Sequence, residues 1–234
     1  MRAGGTTPPP VFLARRSMLD FFSFALQYFP YIVRGAVVTV ELTVLALLLG
    51  LVLGLVAAVA KNAGRQPFAF IANCYVEIVR GTPALLQIFI IYFGLASYGL
   101  RLEPFAAAVI TLGVIGGAYI TEIIRAGIEA VDHGQVEAAT SLGMSGSAIM
   151  RRIILPQAMR LMLPPFTNFL ISLIKDTSLA LTISVPELMY RSYDVASQTF
   201  RSLEVYAVAG AIYLAICFPL SRVAKALEKR QAPR

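Results

Sequence analysis

Few ionisable residues stand inside the long apolar runs of this chain, and their spacing is informative. Glu77 and Arg80 lie three apart, which puts them on one face of a helix. Gly81, Thr82 and Pro83 follow directly. Pro83 interrupts the backbone hydrogen-bond ladder and Gly81 permits the interruption. An acid and a base on one face suit a ligand carrying both charges, and the backbone groups freed at a helix break add further partners. The same two residues also read as an internal salt bridge that fixes a broken helix, and the spacing favours that reading. Glu122 and Arg125 repeat the spacing near the end of another run, where a structural or gating role fits. Lys175, Asp176, Thr177 and Ser178 follow a third run and suit the mouth of a path or a ligand contact. Glu41, about 9 Å into its run at 1.5 Å per residue, either selects a cationic group or pairs with Arg34.

Other chemistries lack their residues. Cys74 and Cys217 each sit in an apolar stretch and read as small buried hydrophobes. His133, the one histidine, has no Cys or His near it, so neither a metal site nor a disulfide framework is expected. No nucleophile stands beside a base, and no catalytic residue is assigned. The P-loop pattern G-x-x-x-x-G-K-[ST] is missing, so ATP has no cradle in this sequence.

The elements that hold these residues must be membrane helices. Of the 234 residues 58% are hydrophobic and 14% charged, with a mean hydropathy of +0.74. A soluble domain carries about 25% charged residues. The net charge of +7 is dispersed near the ends of apolar runs, which suits the positive-inside bias and excludes a nucleic-acid groove. The first residues lack an apolar core and end in Arg15-Arg16, unlike a secretory signal, and read as a tail through Pro8-Pro9-Pro10.

The pattern predicts an all-α membrane protein of about five transmembrane helices. Residues 1–34 form the tail and a short interfacial helix at 17–31, rich in aromatics but carrying Asp20, Gln27 and Pro30. A transmembrane domain follows over 35–224, and a basic tail over 225–234. Spans are expected at about 35–60, 84–98, 104–124, 161–174 and 204–221. Gly50 and Gly54 in the first, and Gly113, Gly116 and Gly117 in the third, suit close helix contact. The stretch 175–203 reads as polar and loop-rich. With an odd number of spans the termini lie on opposite sides. Lys61, Arg65, Arg151, Arg152 and the basic tail favour a cytoplasmic C-terminus, while Arg15 and Arg16 oppose it.

Between the third and fourth spans, at 132–156, the chain turns polar. Asp132 with Gln135 three residues on resembles a capping box, and Gly143 stands where that helix would end. The segment EAATSLGMSGSAIMRRIILP, Glu137 to Pro156, fits E-A-A-x-x-x-G-x9-I-x-L-P at every fixed position: Glu137, Ala138, Ala139, Gly143, Ile153, Leu155 and Pro156. It resembles the EAA loop of the permease subunits of binding-protein-dependent ABC importers. The flanks CYVEIVRGTPALLQIFIIYFG, YITEIIRAGIEAVDHGQVEAA and LPPFTNFLISLIKDTSLA resemble the branch that handles polar amino acids such as histidine, glutamine, glutamate and arginine. The resemblance runs from about Gly35 to the C-terminus.

That resemblance implies a type I importer-like fold with a cytoplasmic coupling helix, in the cytoplasmic (inner) membrane of a bacterium. It implies that the helix at Glu137 docks on an ABC ATPase subunit, present in two copies, which holds ATP and magnesium. A second permease chain, identical or homologous, and an extracytoplasmic amino-acid-binding protein complete the implied partners. A secondary transporter would predict internal repeats and more spans, neither of which is found. A membrane enzyme would need a clustered acid pair, nucleophile or metal set beyond Glu77 and Arg80.

Overall fold

The computed structural model describes residues 10–62 and 66–231, and the side chains of 20–61 and 66–229. The helices are α1 (Pro10–Asn62), α2 (Gln66–Gly81), α3 (Ala84–Phe89), α4 (Leu95–Ser97), α5 (Pro104–Glu129), α6 (His133–Ser141), α7 (Gly146–Ile149), α8 (Leu155–Asp176), α9 (Leu188–Thr199) and α10 (Ser202–Gln231). π-helical turns join α3 to α4 at Ile90–Gly94 and α7 to α8 at Met150–Ile154, and a 3-10 helix follows α8 at Thr177–Ile183. Among the described residues three helices are long and apolar enough to cross a membrane: Asp20–Lys61, Pro104–Glu129 and Ser202–Lys229. Two bent pairs raise the number to five if each is one span: Gln66–Gly81 with Ala84–Ser97, bent by 108°, and Gly146–Ile183 with Leu188–Thr199, bent by 50°.

α1 and α5 form the spine, and glycines let them touch. A methyl group on Gly54 would lie 2.7 Å from Ile120 Cγ2 and 3.0 Å from the Gly117 carbonyl; one on Gly50 would lie 3.2 Å from the Gly113 carbonyl. The Tyr75 hydroxyl of α2 donates to the Val114 carbonyl at 2.6 Å and fills the space beside Gly117. The main core gathers Leu42 and Ala46 of α1, Ile88 of α3, Leu112 of α5 and Leu173 of α8. A second core holds Phe24 and Ile32 against Leu188 and Val195 of α9 and Val205 of α10.

Three local expectations differ. No separate interfacial helix forms at 17–31: α1 runs unbroken through the expected boundary at 34/35, with Pro30 inside it. Packing of Phe24 and Ile32 on α9 and α10 holds the helix through the one hydrogen bond that Pro30 removes. The stretch 175–203 is helical rather than loop-rich, because α9 buries Leu188, Val195 and Ala196 on one side. The helix containing 161–174 starts far earlier and is continuous with α7. Pro156 has no N–H to offer the Arg152 carbonyl, and the ladder widens into a π turn just before it.

Candidate functional site

The segment from Asp132 to Pro156 is a short helix, a sharp turn and a second helix that runs on into the bundle. Asp132 caps α6, but its Oδ1 accepts from the Gly134 N–H at 2.6 Å rather than from Gln135. The reciprocal half of the expected box is missing too, because Gln135 Oε1 instead accepts from Gln157 Nε2 of α8. That bond ties the start of α6 to the start of α8. The end of α6 closes as a Schellman motif: Met144 N–H donates to the Ala139 carbonyl at 3.1 Å and Gly143 N–H to the Thr140 carbonyl at 2.9 Å. Gly143 adopts φ +75°, the left-handed conformation that glycine takes at no steric cost.

Ala139 is buried against the rest of the segment, whereas Glu137 and Ala138 face outward and Leu142 is 83% exposed. Ile153 sits in the π turn, half-buried, and Leu155 and Pro156 open α8 with exposed side chains. α6 is therefore a projecting helix with an outward face carrying Glu137, Ala138 and Leu142. A push on it would reach α8 through Gln135–Gln157 and α5 through the two residues before its cap.

Glu77 and Arg80 are not brought together. Glu77 is exposed and makes no hydrogen bond or ion pair among the described residues. Arg80 instead reaches Glu122 Oε2 at 3.6 Å, with its guanidinium 5.3 Å from the centre of the Tyr119 ring. Glu122 also accepts from Lys61 Nζ at 2.7 Å and from Arg125 Nη2 at 2.9 Å. One carboxylate, 18% exposed, thus joins the end of α1, the end of α2 and α5. Arg80, Tyr119 and Glu122 line an open cavity of about 340 Å³ closed on its far side by Leu161 and Pro165 of α8.

The break before α3 is present, and several of its carbonyls are met from within the chain. Gln87 Nε2 donates to the Val79 carbonyl at 2.8 Å, the Thr82 carbonyl at 3.1 Å and Thr82 Oγ1 at 2.9 Å, while Thr82 Oγ1 donates back to the Ile78 carbonyl. Pro83 caps α3 in extended backbone. Glu41 and Arg34 are both exposed and unpaired with each other. Lys175, at the end of α8, is exposed beside an open cavity of about 320 Å³ shared with Tyr213 and Cys217 of α10. Asp176 and Ser178 are half-buried next to it.

The residue that the sequence reading passed over is Glu187, 0% exposed. Its carboxylate caps α9 by accepting from Met189 N–H at 2.9 Å and Tyr190 N–H at 2.6 Å, and from the Tyr213 hydroxyl at 3.1 Å. Thr39 of α1 completes the set, accepting from Leu188 N–H at 3.2 Å and facing Glu187 Oε2 at 3.5 Å. The available signal was an acid directly before the run Leu188–Thr199, inside a stretch that looked like loop.

The comparisons with known proteins agree with this geometry. Residues 50–233 match the family described as binding-protein-dependent transport system inner membrane component. The chain is 38% identical over 210 residues to the arginine transport system permease protein ArtQ of Bacillus subtilis (strain 168), covering 89% of this chain and 96% of that one. It is 40% identical over 203 residues to the glutamine transport system permease protein GlnP of Escherichia coli (strain K12), covering 86% and 93%. A crystal structure of an amino acid ABC transporter with histidines superposes with a TM-score of 0.86 at 38% identity, over 90% of this chain and 98% of that one. An inward-facing MetNI methionine ABC transporter shares the fold at 20% identity, with a TM-score of 0.68 over 86% and 98%. An all-helical bundle with a projecting helix between two spans, matched over most of its length by permease proteins, belongs to the family of inner membrane components of binding-protein-dependent transport systems.

Proposed function

We propose that this chain translocates a polar or charged amino acid across the cytoplasmic membrane of a bacterium, as the permease subunit of an ATP-binding-cassette importer. The observation that carries the reading is the exposed α6, set between α5 and α8 by a Schellman turn at Gly143 and the Gln135–Gln157 bond. Two copies of a separate ATPase subunit bind ATP with magnesium and receive α6 through the face holding Glu137, Ala138 and Leu142. Closure of the ATPases moves α6, and α5 and α8 carry the movement into the spans. A second permease chain and an extracytoplasmic binding protein complete the complex.

The side of each terminus follows from this assignment. If α6 faces the cytoplasm, α8 runs outward, α9 lies on the outer side, and α10 returns its basic end, with Arg222, Lys225 and Lys229, to the cytoplasm. In the substrate path we place Glu77, Arg80, Thr82, Lys175, Asp176, Ser178 and Glu41 as candidates, with Arg80 the best supported because it lines a cavity beside an aromatic face. Glu122 and Arg125 position and gate, and Pro83 shapes the break.

The test is substrate-stimulated ATP hydrolysis in the reconstituted complex, with Glu137→Lys beside the parent. Glu137 is exposed, so the variant should fold; the expected result is loss of stimulation or of ATPase assembly. Transport that persists without any ATPase and follows an ion gradient would replace this reading with a secondary transporter.

A further inference from the structure

α2 meets α3 at a bend of 108° and so cannot share its axis. α3, the π turn and α4, residues 84–97, rise about 21 Å at 1.5 Å per residue. A bilayer core is about 30 Å thick. A helix lying in the interface sinks its apolar face about 5–10 Å into the headgroup and acyl boundary. That leaves about 20–25 Å for the segment that climbs from it, which is the rise of α3 with α4. The ends of α2 agree with a helix lying flat. Phe68 lines a cavity with Ala60, beside Lys61. Arg80 reaches Glu122, the carboxylate that also holds Lys61. In an upright helix residues 68 and 80 would differ in height by about 18 Å, yet both side chains meet the bundle beside Lys61.

Three edges of α2 differ in chemistry, roughly a third of a turn apart. Ala72 and Val76 are buried against the bundle, and the Tyr75 hydroxyl reaches the Val114 carbonyl. Gln66, Asn73, Glu77 and Arg80 form a polar edge and are exposed. Ile71 and Ile78 form an apolar edge, 64% and 65% exposed. A helix upright in hydrocarbon would string those four polar groups along about 21 Å of acyl chain. A helix wholly in water would leave the two isoleucines bare. Lying flat at the interface suits both edges at once. Phe70, exposed between the polar and apolar edges, stands where aromatic side chains collect at a membrane surface. Between α2 and α1 lies an open apolar cavity of about 310 Å³, lined by Leu53 and Val56 with Phe68 and Ile71, which adds a slot for an acyl chain.

We infer that α2 is an in-plane anchor on the cytoplasmic leaflet of the bilayer. Ile71 and Ile78 enter the acyl region, an acyl chain fills the slot against α1, and the polar edge faces water at the inner mouth of the path. The choice of leaflet rests on the permease reading above, which sets the Lys61–Glu122 end of the bundle at the cytoplasm. The chain then crosses the bilayer through α1, α3 with α4, α5, α8 and α10, and α2 adds no span. Held flat by lipid, α2 keeps the backbone of Arg80 at one depth while α5 carries movement past it.

The test uses the assembled complex in lipid vesicles. This chain is labelled with a nitroxide before assembly, in a background where Cys74→Ser and Cys217→Ala remove the native thiols. Ile71→Cys and Ile78→Cys are expected to report the same depth, from the ratio of oxygen to nickel-chelate collisions, at about 5–10 Å below the headgroups. Asn73→Cys, on the polar edge, should collide with the nickel chelate instead, and an impermeant reductant should reach it only from the ATPase side. Depths about 10 Å apart for Ile71→Cys and Ile78→Cys would make α2 an upright part of a span and overturn the anchor. So would labels at both sites that neither oxygen nor the chelate reaches, which would put another protein surface over that edge. Reduction of the Asn73→Cys label only from the opposite side overturns the leaflet. Substrate-stimulated ATP hydrolysis in the thiol-free parent separates the two proposals: stimulation with unequal depths rejects the anchor alone, and no stimulation rejects the importer reading.

Discussion

Glu122 and Glu187 both pin α1 to the rest of the bundle, near opposite ends of its contact with α5, and they do it with opposite chemistry. Glu122 holds Lys61 at the end of α1 with cations around it: Lys61, Arg80 and Arg125. Glu187 is met only by neutral donors, two backbone N–H groups and two hydroxyls, and is fully buried. A partly hydrated carboxylate with several cations can exchange one for another at little cost, since each pair is weak in a high dielectric. A dry carboxylate with a complete set of fixed donors cannot, because any group left behind is buried and unsatisfied. On this contrast we propose Glu122 as the joint that can rearrange and Glu187 as the anchor that holds α1, α9 and α10 fixed. The joint lies on α5, which leads directly into α6; the anchor lies far from it in the chain.

The anchor should show the largest effect. Glu187→Ala leaves two N–H groups of α9 and the Thr39 and Tyr213 hydroxyls without their acceptor, at a cost of about 3 kcal/mol or more. Thermal unfolding in detergent should show a large fall in Tm, with Glu187→Gln between it and the parent. An unchanged Tm for Glu187→Ala would erase the contrast. Glu122→Ala should cost less in stability, about 1–2 kcal/mol, because Lys61 and Arg125 retain partial access to water. Its main effect should fall on coupling: basal ATP hydrolysis in the assembled complex persists and substrate stimulation drops. A stability loss equal to that of Glu187→Ala, with stimulation intact, would make Glu122 a second anchor. The smallest effect is expected from Arg80→Ala. Its pair is 3.6 Å long and the side chain 43% exposed, so the change in Tm should be close to nothing. Altered stimulation or transport at unchanged Tm would sharpen the view of Arg80 as the mobile arm of the joint.

The two clusters also differed in how far the sequence disclosed them. Glu122 drew notice because an acid and Arg125 sit three apart inside an apolar run, but its shortest contact is to Lys61, 61 residues away in the chain. Glu187 drew none, since its donors come from residues 148 and 26 positions away and from backbone that is invisible until α9 forms. Glu77 and Arg80 show the converse error. Their spacing is that of a pair, yet Arg80 turns to α5 because a carboxylate and an aromatic ring wait there. Gln87 likewise closed a helix break whose carbonyls looked open for a ligand.

The sequence by itself determined that the chain is helical and built for a membrane, because apolar run length and charge content depend only on local composition. It determined the projecting segment at 137–156 too, since a short helix, a left-handed glycine turn and a proline at a helix start are all set by neighbouring residues. It indicated the glycine contact of α1 with α5 as a capacity. Only the tertiary structure decided that these glycines meet, that α1 runs unbroken past Pro30, that Arg80 belongs to Glu122, and that Glu187 is an anchor. Those outcomes rest on which helices lie side by side, and hydrogen bonds and ion pairs across tens of residues cannot be read from spacing along one chain.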